Sequence, residues 1–159
     1  MYYRCEVKVI DFGSSCFLTD HLSTYVQSRS YRAPEVILGM PYDQRIDLWS
    51  LGCILAELYT GKVLFQNDSV QTLLARLVGI MGQLERKYLK RGKYSTKYFT
   101  KNYTVLYDKR NGVVEYLYPK KSSLRRRLKT DDALFLDFMT RLLKVNAKER
   151  YVHRKHEDK

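Results

Sequence analysis

Acid is in short supply against base in this 159-residue chain. Seventeen Asp and Glu stand against 29 Lys and Arg, a formal net charge of +12. That imbalance points to acidic partners: nucleic acid, phosphorylated protein or an acidic substrate. Cysteine is also scarce. Cys5, Cys16 and Cys53 are odd in number and form no C-x-x-C pair, which argues against a disulfide frame and a zinc site. His21, His153 and His156 have no ligand spacing. No apolar run reaches membrane-span length, since the best, Leu48 to Tyr59, is short and broken by polar groups. Met1 is followed by "YYRCEVK", which has neither the apolar core nor the cleavage site of a secretory signal. The expected compartment is cytoplasmic or nuclear.

What is present is enough for one folded domain. The length suits a single core, and 45% apolar residues argue against disorder. The positive charge is concentrated, with about fifteen basic residues and few acids between Arg86 and Lys129. Such a cluster reads as an interaction surface or as a solvated insert.

The local pattern is mostly helical. Val7 to Ile10 alternates weakly and predicts a short strand ending at Asp11. Gly13 to Arg32 is polar and predicts a loop. Pro34 opens a short helix that stops at Gly39. Asp43 to Thr60 predicts the main helix, apolar on nearly every side and so central to the core, with Gly61 as its stop. Asp68 and Ser69 cap a helix to about Ile80. Tyr103–Tyr107 and Val113–Tyr118 flank "DKRNG", and Asn111-Gly112 signals a hairpin. Thr130 is expected to cap a last helix to about Lys144, and the residues from Tyr151 to Lys159 form a polar tail.

Two short motifs occur in order, Asp11-Phe12-Gly13 and Ala33-Pro34-Glu35, bracketing a Tyr/Ser-rich loop; Asp47-Leu48-Trp49-Ser50-Leu51-Gly52 follows. Each is weak alone, but the combination is specific. The chain resembles the C-terminal lobe of a eukaryotic protein kinase. "STYVQSRSYRAPEVILGMPYDQRIDLWSLGCILAELYTG", "DFGSSC" and "YLYPKKSSLRRRL" resemble the dual-specificity tyrosine-regulated kinases, plant-type members included, and the neighbouring homeodomain-interacting kinases. The likeness runs from about Val7 to Arg150. It implies a mainly α fold: a partial kinase domain over residues 1–150, with an insert at about 80–129 that holds the β-hairpin. One position departs from the Tyr-x-Tyr of the regulated kinases. It is Ser23, which leaves Tyr25.

The resemblance also implies roles. Asp11 would hold magnesium bridging the phosphates of ATP, and Gly13 would let the backbone turn behind it. Tyr25 would be the autophosphorylated tyrosine, with Arg29 and Arg32 clamping its phosphate. Ser28 would touch the catalytic base, and Tyr31 would wall the pocket for the residue after the acceptor. Glu35 would be a buried anion paired with Arg150. Asp47 would hold the catalytic loop through backbone N–H groups, favoured there by the helix dipole. Trp49 reads as core.

Several parts of that machinery do not occur among the 159 residues. There is no Gly-rich phosphate loop, no His-Arg-Asp and no strand lysine with its glutamate partner. Asp11 alone cannot position a hydroxyl or grip a nucleotide. The chain as written is therefore expected to be an inactive fragment of a serine/threonine or dual-specificity kinase. It is expected to be truncated at both ends, to bind ATP and Mg2+ poorly, and to expose apolar surface on the central helix. The alternative is a non-catalytic basic module that binds acidic proteins. Nucleic-acid binding through "KKSSLRRRLK" ranks last, and no membrane association is expected.

Overall fold

The structure of the chain is a computed structural model describing residues 6–17, 26–103, 106–110 and 113–150, with the side chains of 106–110 left aside. It is mainly α. After a 3-10 turn at Phe12–Ser14 and another at Arg29–Tyr31 come α1 (Pro34–Ile37), α2 (Arg45–Thr60), α3 (Val70–Met81), α4 (Arg86–Leu89), α5 (Ser95–Tyr98), α6 (Leu124–Leu128) and α7 (Ala133–Leu142). Strands β1 (Leu106–Arg110) and β2 (Val113–Leu117) form the hairpin between α5 and α6.

Each helix end has a local cause. Pro34 supplies the fixed φ at the start of α1. Gly61, at φ 69°, ends α2 and donates its N–H back to the Glu57 carbonyl. Ser69 and Thr72 form a reciprocal capping box at α3, each hydroxyl accepting the other's backbone N–H at 3.1 Å. Asp132 caps α7 by accepting from Leu134 and Phe135 N–H. Thr130, expected in that role, instead accepts from Asp132 N–H at 3.2 Å, outside the helix.

The core lies between α2, α3 and α7. Trp49, Cys53 and Ala56 of α2, Leu73, Leu74 and Leu77 of α3, and Met139 of α7 are buried in one cluster. Burying such a large aliphatic side chain is worth about 2 kcal/mol. Trp49 stacks on Phe65 at 5.5 Å between ring centroids, within 8° of parallel. Gly52 marks where the chain just after α7 meets α2: a Cβ there would meet Leu143 at 2.8 Å.

The basic segment is not a solvated appendage. Leu84, Tyr88, Leu89, Tyr98, Phe99, Leu124 and Leu128 are all buried in the same core. Tyr94 N–H donates to the Leu38 carbonyl (2.9 Å), Ser122 N–H to the Gly79 carbonyl (2.8 Å), and Tyr88 Oη to the Val145 carbonyl (3.1 Å). Its cations stand on a scaffold that the core holds in place.

Two expectations need correcting. Val7 to Ile10 forms no strand: Val7, Val9 and Ile10 are exposed, and the only sheet among the described residues is the hairpin. A strand there would have no ladder to join. Helix α2 is apolar on most sides yet leaves Leu51, Ile54 and Leu58 exposed along one of them, the exposed apolar surface expected of the central helix. Hairpin strand β1 begins three residues later than the pattern suggested and runs through Arg110, so "DKR" pairs in the ladder: Arg110 faces Val113 across residues 111–112. The pattern had placed "DKR" in the loop, whereas a two-residue connection draws it into the strand.

Candidate active-site and substrate-side residues

Asp11 is exposed and takes a left-handed backbone conformation, φ 64° and ψ 67°, ahead of the turn at Phe12–Ser14. Gly13 was expected to supply that freedom. It does not: its φ is not positive, and a Cβ there would meet only Asp11 Oδ1 at an ordinary 3.5 Å. The backbone strain sits on the acid itself.

Asp11 and Asp47, distant in sequence, line one cavity of about 390 Å³, with Asp43, Ser14 and Gln44 also in its wall. Among the described residues no lysine or arginine lines it. Burial holds the Asp47 carboxyl above its ordinary range. Among the described residues, no donor reaches that carboxylate, and no group of three or more His, Cys, Asp or Glu is arranged to hold a metal. Magnesium with a nucleotide needs one or two carboxylates plus the phosphates, and the phosphates need cations. With Asp43 already paired to Arg45, the described wall offers the carboxylates of Asp11 and Asp47 and no cation for the phosphates, which does not fit that group.

The segment from Val26 to Glu35 is built differently. Gln27 also has a positive φ, 63°, and its side chain holds the turn from both ends. Its Nε2 donates to the Ile46 carbonyl (2.9 Å) and to Ser50 Oγ (2.7 Å), while its Oε1 accepts the Ala33 N–H at 2.9 Å. Arg32 donates through Nε to the Val26 carbonyl (2.9 Å) and through Nη2 to the Gln27 carbonyl (2.8 Å). Arg29 points elsewhere, donating to the Asp68 carbonyl at 2.9 Å, just before α3. Tyr25 lies outside the described residues.

Ser28 is exposed, and its carbonyl accepts the Tyr31 N–H at 3.0 Å. Half-buried Tyr31 donates its hydroxyl to Glu57 Oε2 at 2.6 Å. Its pKa is raised, first by that bond to Glu57 and then by burial. Ser50 Oγ donates to the Tyr31 carbonyl at 2.9 Å. The loop is thus fixed to α2 at Ile46, Ser50 and Glu57.

Glu35 and Arg150, 115 residues apart, meet in the core. Nη1 donates to Oε1 at 2.6 Å and Nη2 to Oε2 at 2.7 Å, with both residues about 97–98% buried. The remaining donors of Arg150 go to the Lys144, Arg45 and Val145 carbonyls at 2.7, 3.0 and 3.2 Å. The guanidinium also lies 5.2 Å from the Trp49 ring centroid. A planar fork matching a carboxylate, with its other donors used on carbonyls, is the arrangement in which a buried ion pair is well satisfied.

Two positions escaped the sequence reading. Glu57 carried a signal, an acid interrupting an apolar stretch of α2. Gln27 carried none, because nothing in its neighbours announces a positive φ.

A family profile described as protein kinase domain matches residues 1–156. The human dual specificity tyrosine-phosphorylation-regulated kinase 4 is 44% identical over 145 residues, covering 88% of this chain and 27% of that protein. The DYRK-family kinase pom1 of Schizosaccharomyces pombe is 41% identical over 149 residues, 93% of this chain and 14% of that protein. The rat dual specificity tyrosine-phosphorylation-regulated kinase 3 is 40% identical over 164 aligned positions, 92% of this chain and 28% of that protein. The chain therefore spans between about one seventh and rather more than one quarter of the length of these relatives.

Proposed function

The chain belongs to the eukaryotic protein kinase family, in likeness to the dual-specificity tyrosine-regulated members, and on that premise we propose that its 159 residues are the substrate side of a serine/threonine or dual-specificity kinase, without phosphotransfer of their own. In this reading they form the activation segment and helical lobe, and Tyr25 is the residue whose phosphorylation accompanies activity. The family generally uses ATP and Mg2+.

One contrast carries the reading. The loop from Gln27 to Glu35 is fastened to α2 and to Arg150 by many hydrogen bonds, whereas among the described residues the cavity beside Asp11 has no cation to receive phosphates. A fastened loop suits peptide positioning: Tyr31, held by Glu57 and Ser50, presents a fixed wall for the residue after the acceptor. Phosphoryl transfer depends on positioning and charge neutralisation of the nucleotide. Asp11 and Asp47 add negative charge where phosphates would sit, while Asp43 is paired with Arg45.

Nucleotide binding by the pure chain tests this. A fluorescent ATP analogue with Mg2+ is expected to show no saturable signal. Saturable binding that is lost in Asp11→Asn would refute the reading.

A second reading, a basic module that binds acidic protein, draws support from the insert. Its cations are mounted on a segment packed into the core rather than on a loose loop. The two readings are compatible in one chain.

A further inference from the structure

We propose that the hollow between the C-terminal end of α2 and the basic helix α6 binds an acidic peptide segment of a protein partner. The hollow has a volume of about 780 Å³, within the range of about 300–1,000 Å³ usual for ligand sites. Lys62, Arg126, Arg127 and Lys129 line it, and Glu57 is its one acid. Glu57 already accepts the Tyr31 hydroxyl at 2.6 Å.

Among the described residues none of these four cations lies within ion-pair distance of a carboxylate. The neighbouring Arg125 does, reaching Asp131 at 3.5 Å. The charges are therefore segregated: the one paired arginine of the run is not among the residues lining the hollow.

A blander explanation is that cations gather at a helix C-terminus, and α2 ends here at Gly61. A helix end carries about half a negative charge. With Glu57 this gives about −1.5 against +4, so the dipole does not account for the accumulation.

An acidic peptide fits better than nucleic acid. Half-buried Val63 also lines the hollow, giving it apolar surface for a side chain. Tyr59 is the single aromatic in the wall and packs on Phe135 at 4.8 Å, so the hollow has no row of aromatic faces on which successive bases could stack. Position also matters. Glu57 belongs to the hollow and to the Tyr31 contact, so a docked segment lies next to the loop assigned to substrate. The proposal rests on the interaction-module reading and needs no phosphotransfer.

The test is fluorescence anisotropy of a labelled octaglutamate peptide with the full 159-residue chain at low and moderate salt. R126E/R127E is expected to weaken binding at least tenfold, and R126Q/R127Q by less. K120E/K121E reverses the same charge at exposed positions outside the hollow and is expected to change binding less than threefold. Circular dichroism of each variant should match the parent. Equal weakening by both reversals would overturn the site while leaving the interaction reading in place. No peptide binding by the parent chain would overturn both. A single-stranded oligonucleotide bound at least as tightly, and lost in R126E/R127E, would overturn the peptide assignment.

Discussion

Arg150→Met removes a guanidinium that does five jobs at once. The substitution keeps an unbranched apolar stem but leaves Glu35, about 97% buried, without its partner. Losing one member of a buried pair costs about 3–5 kcal/mol. The Lys144, Arg45 and Val145 carbonyls also lose their donor, and an unsatisfied buried acceptor costs about 1–3 kcal/mol. These penalties share one site and do not add, so we expect a total of about 4–5 kcal/mol. Domains are stable by about 5–15 kcal/mol, so the variant should be marginal. Trp49, the chain's single tryptophan, stacks on Phe65 and lies beside Arg150, so its fluorescence reports the transition directly. With a urea dependence of about 2 kcal/mol per molar, the midpoint should fall by about 2 M. Glu35→Gln should also destabilise, and the double variant should be no worse than Arg150→Met alone. A loss under about 1 kcal/mol, or strict additivity in the double-mutant cycle, would refute the reasoning.

Other outcomes follow from single contacts. Gly79→Ala, favourable by about 1 kcal/mol in an ordinary helix, should instead lower the melting temperature, because its Cβ would meet the Lys120 carbonyl at 2.5 Å where residues 120–122 dock on α3. Burial raises the Asp47 carboxyl pKa, so the folded chain holds that proton more tightly than the unfolded one. Its contribution to stability is present at low pH and is lost as pH rises through the raised value. Asp47→Asn should therefore be more stable than the parent at neutral pH, with the difference closing toward about pH 3, as thermal melts across pH would show. Burial pushes the Cys53 thiol up to about 12, while Cys16 is exposed. Iodoacetamide at pH 8 followed by mass spectrometry should modify Cys16 in the native chain and Cys53 only after denaturation.

Legibility in the sequence varied with the range of the interaction. Helix α3 was readable because Ser69 announces its start and its apolar spacing announces its face. Pro34 and Gly61 marked α1 and α2 in the same way. Glu35 and Arg150 were paired through the family resemblance, and the structure brings them into bidentate contact. Helices α4, α5 and α6 were missed because each is only four or five residues long, too short to show a period. The docking of the insert was hidden for another reason: its buried residues are scattered among cations, and Gly79 and Gly92 matter only because other backbone passes close to them. The positive φ at Gln27 is held by its contacts to Ile46, Ser50 and Ala33 and has no local signature.

Radiolabelled ATP tests the central claim most directly. The pure 159-residue chain, incubated with labelled ATP, Mg2+ and a serine-containing peptide, is expected to incorporate no label into itself or the peptide above a no-protein blank. Incorporation that disappears in Asp11→Asn would contradict the account.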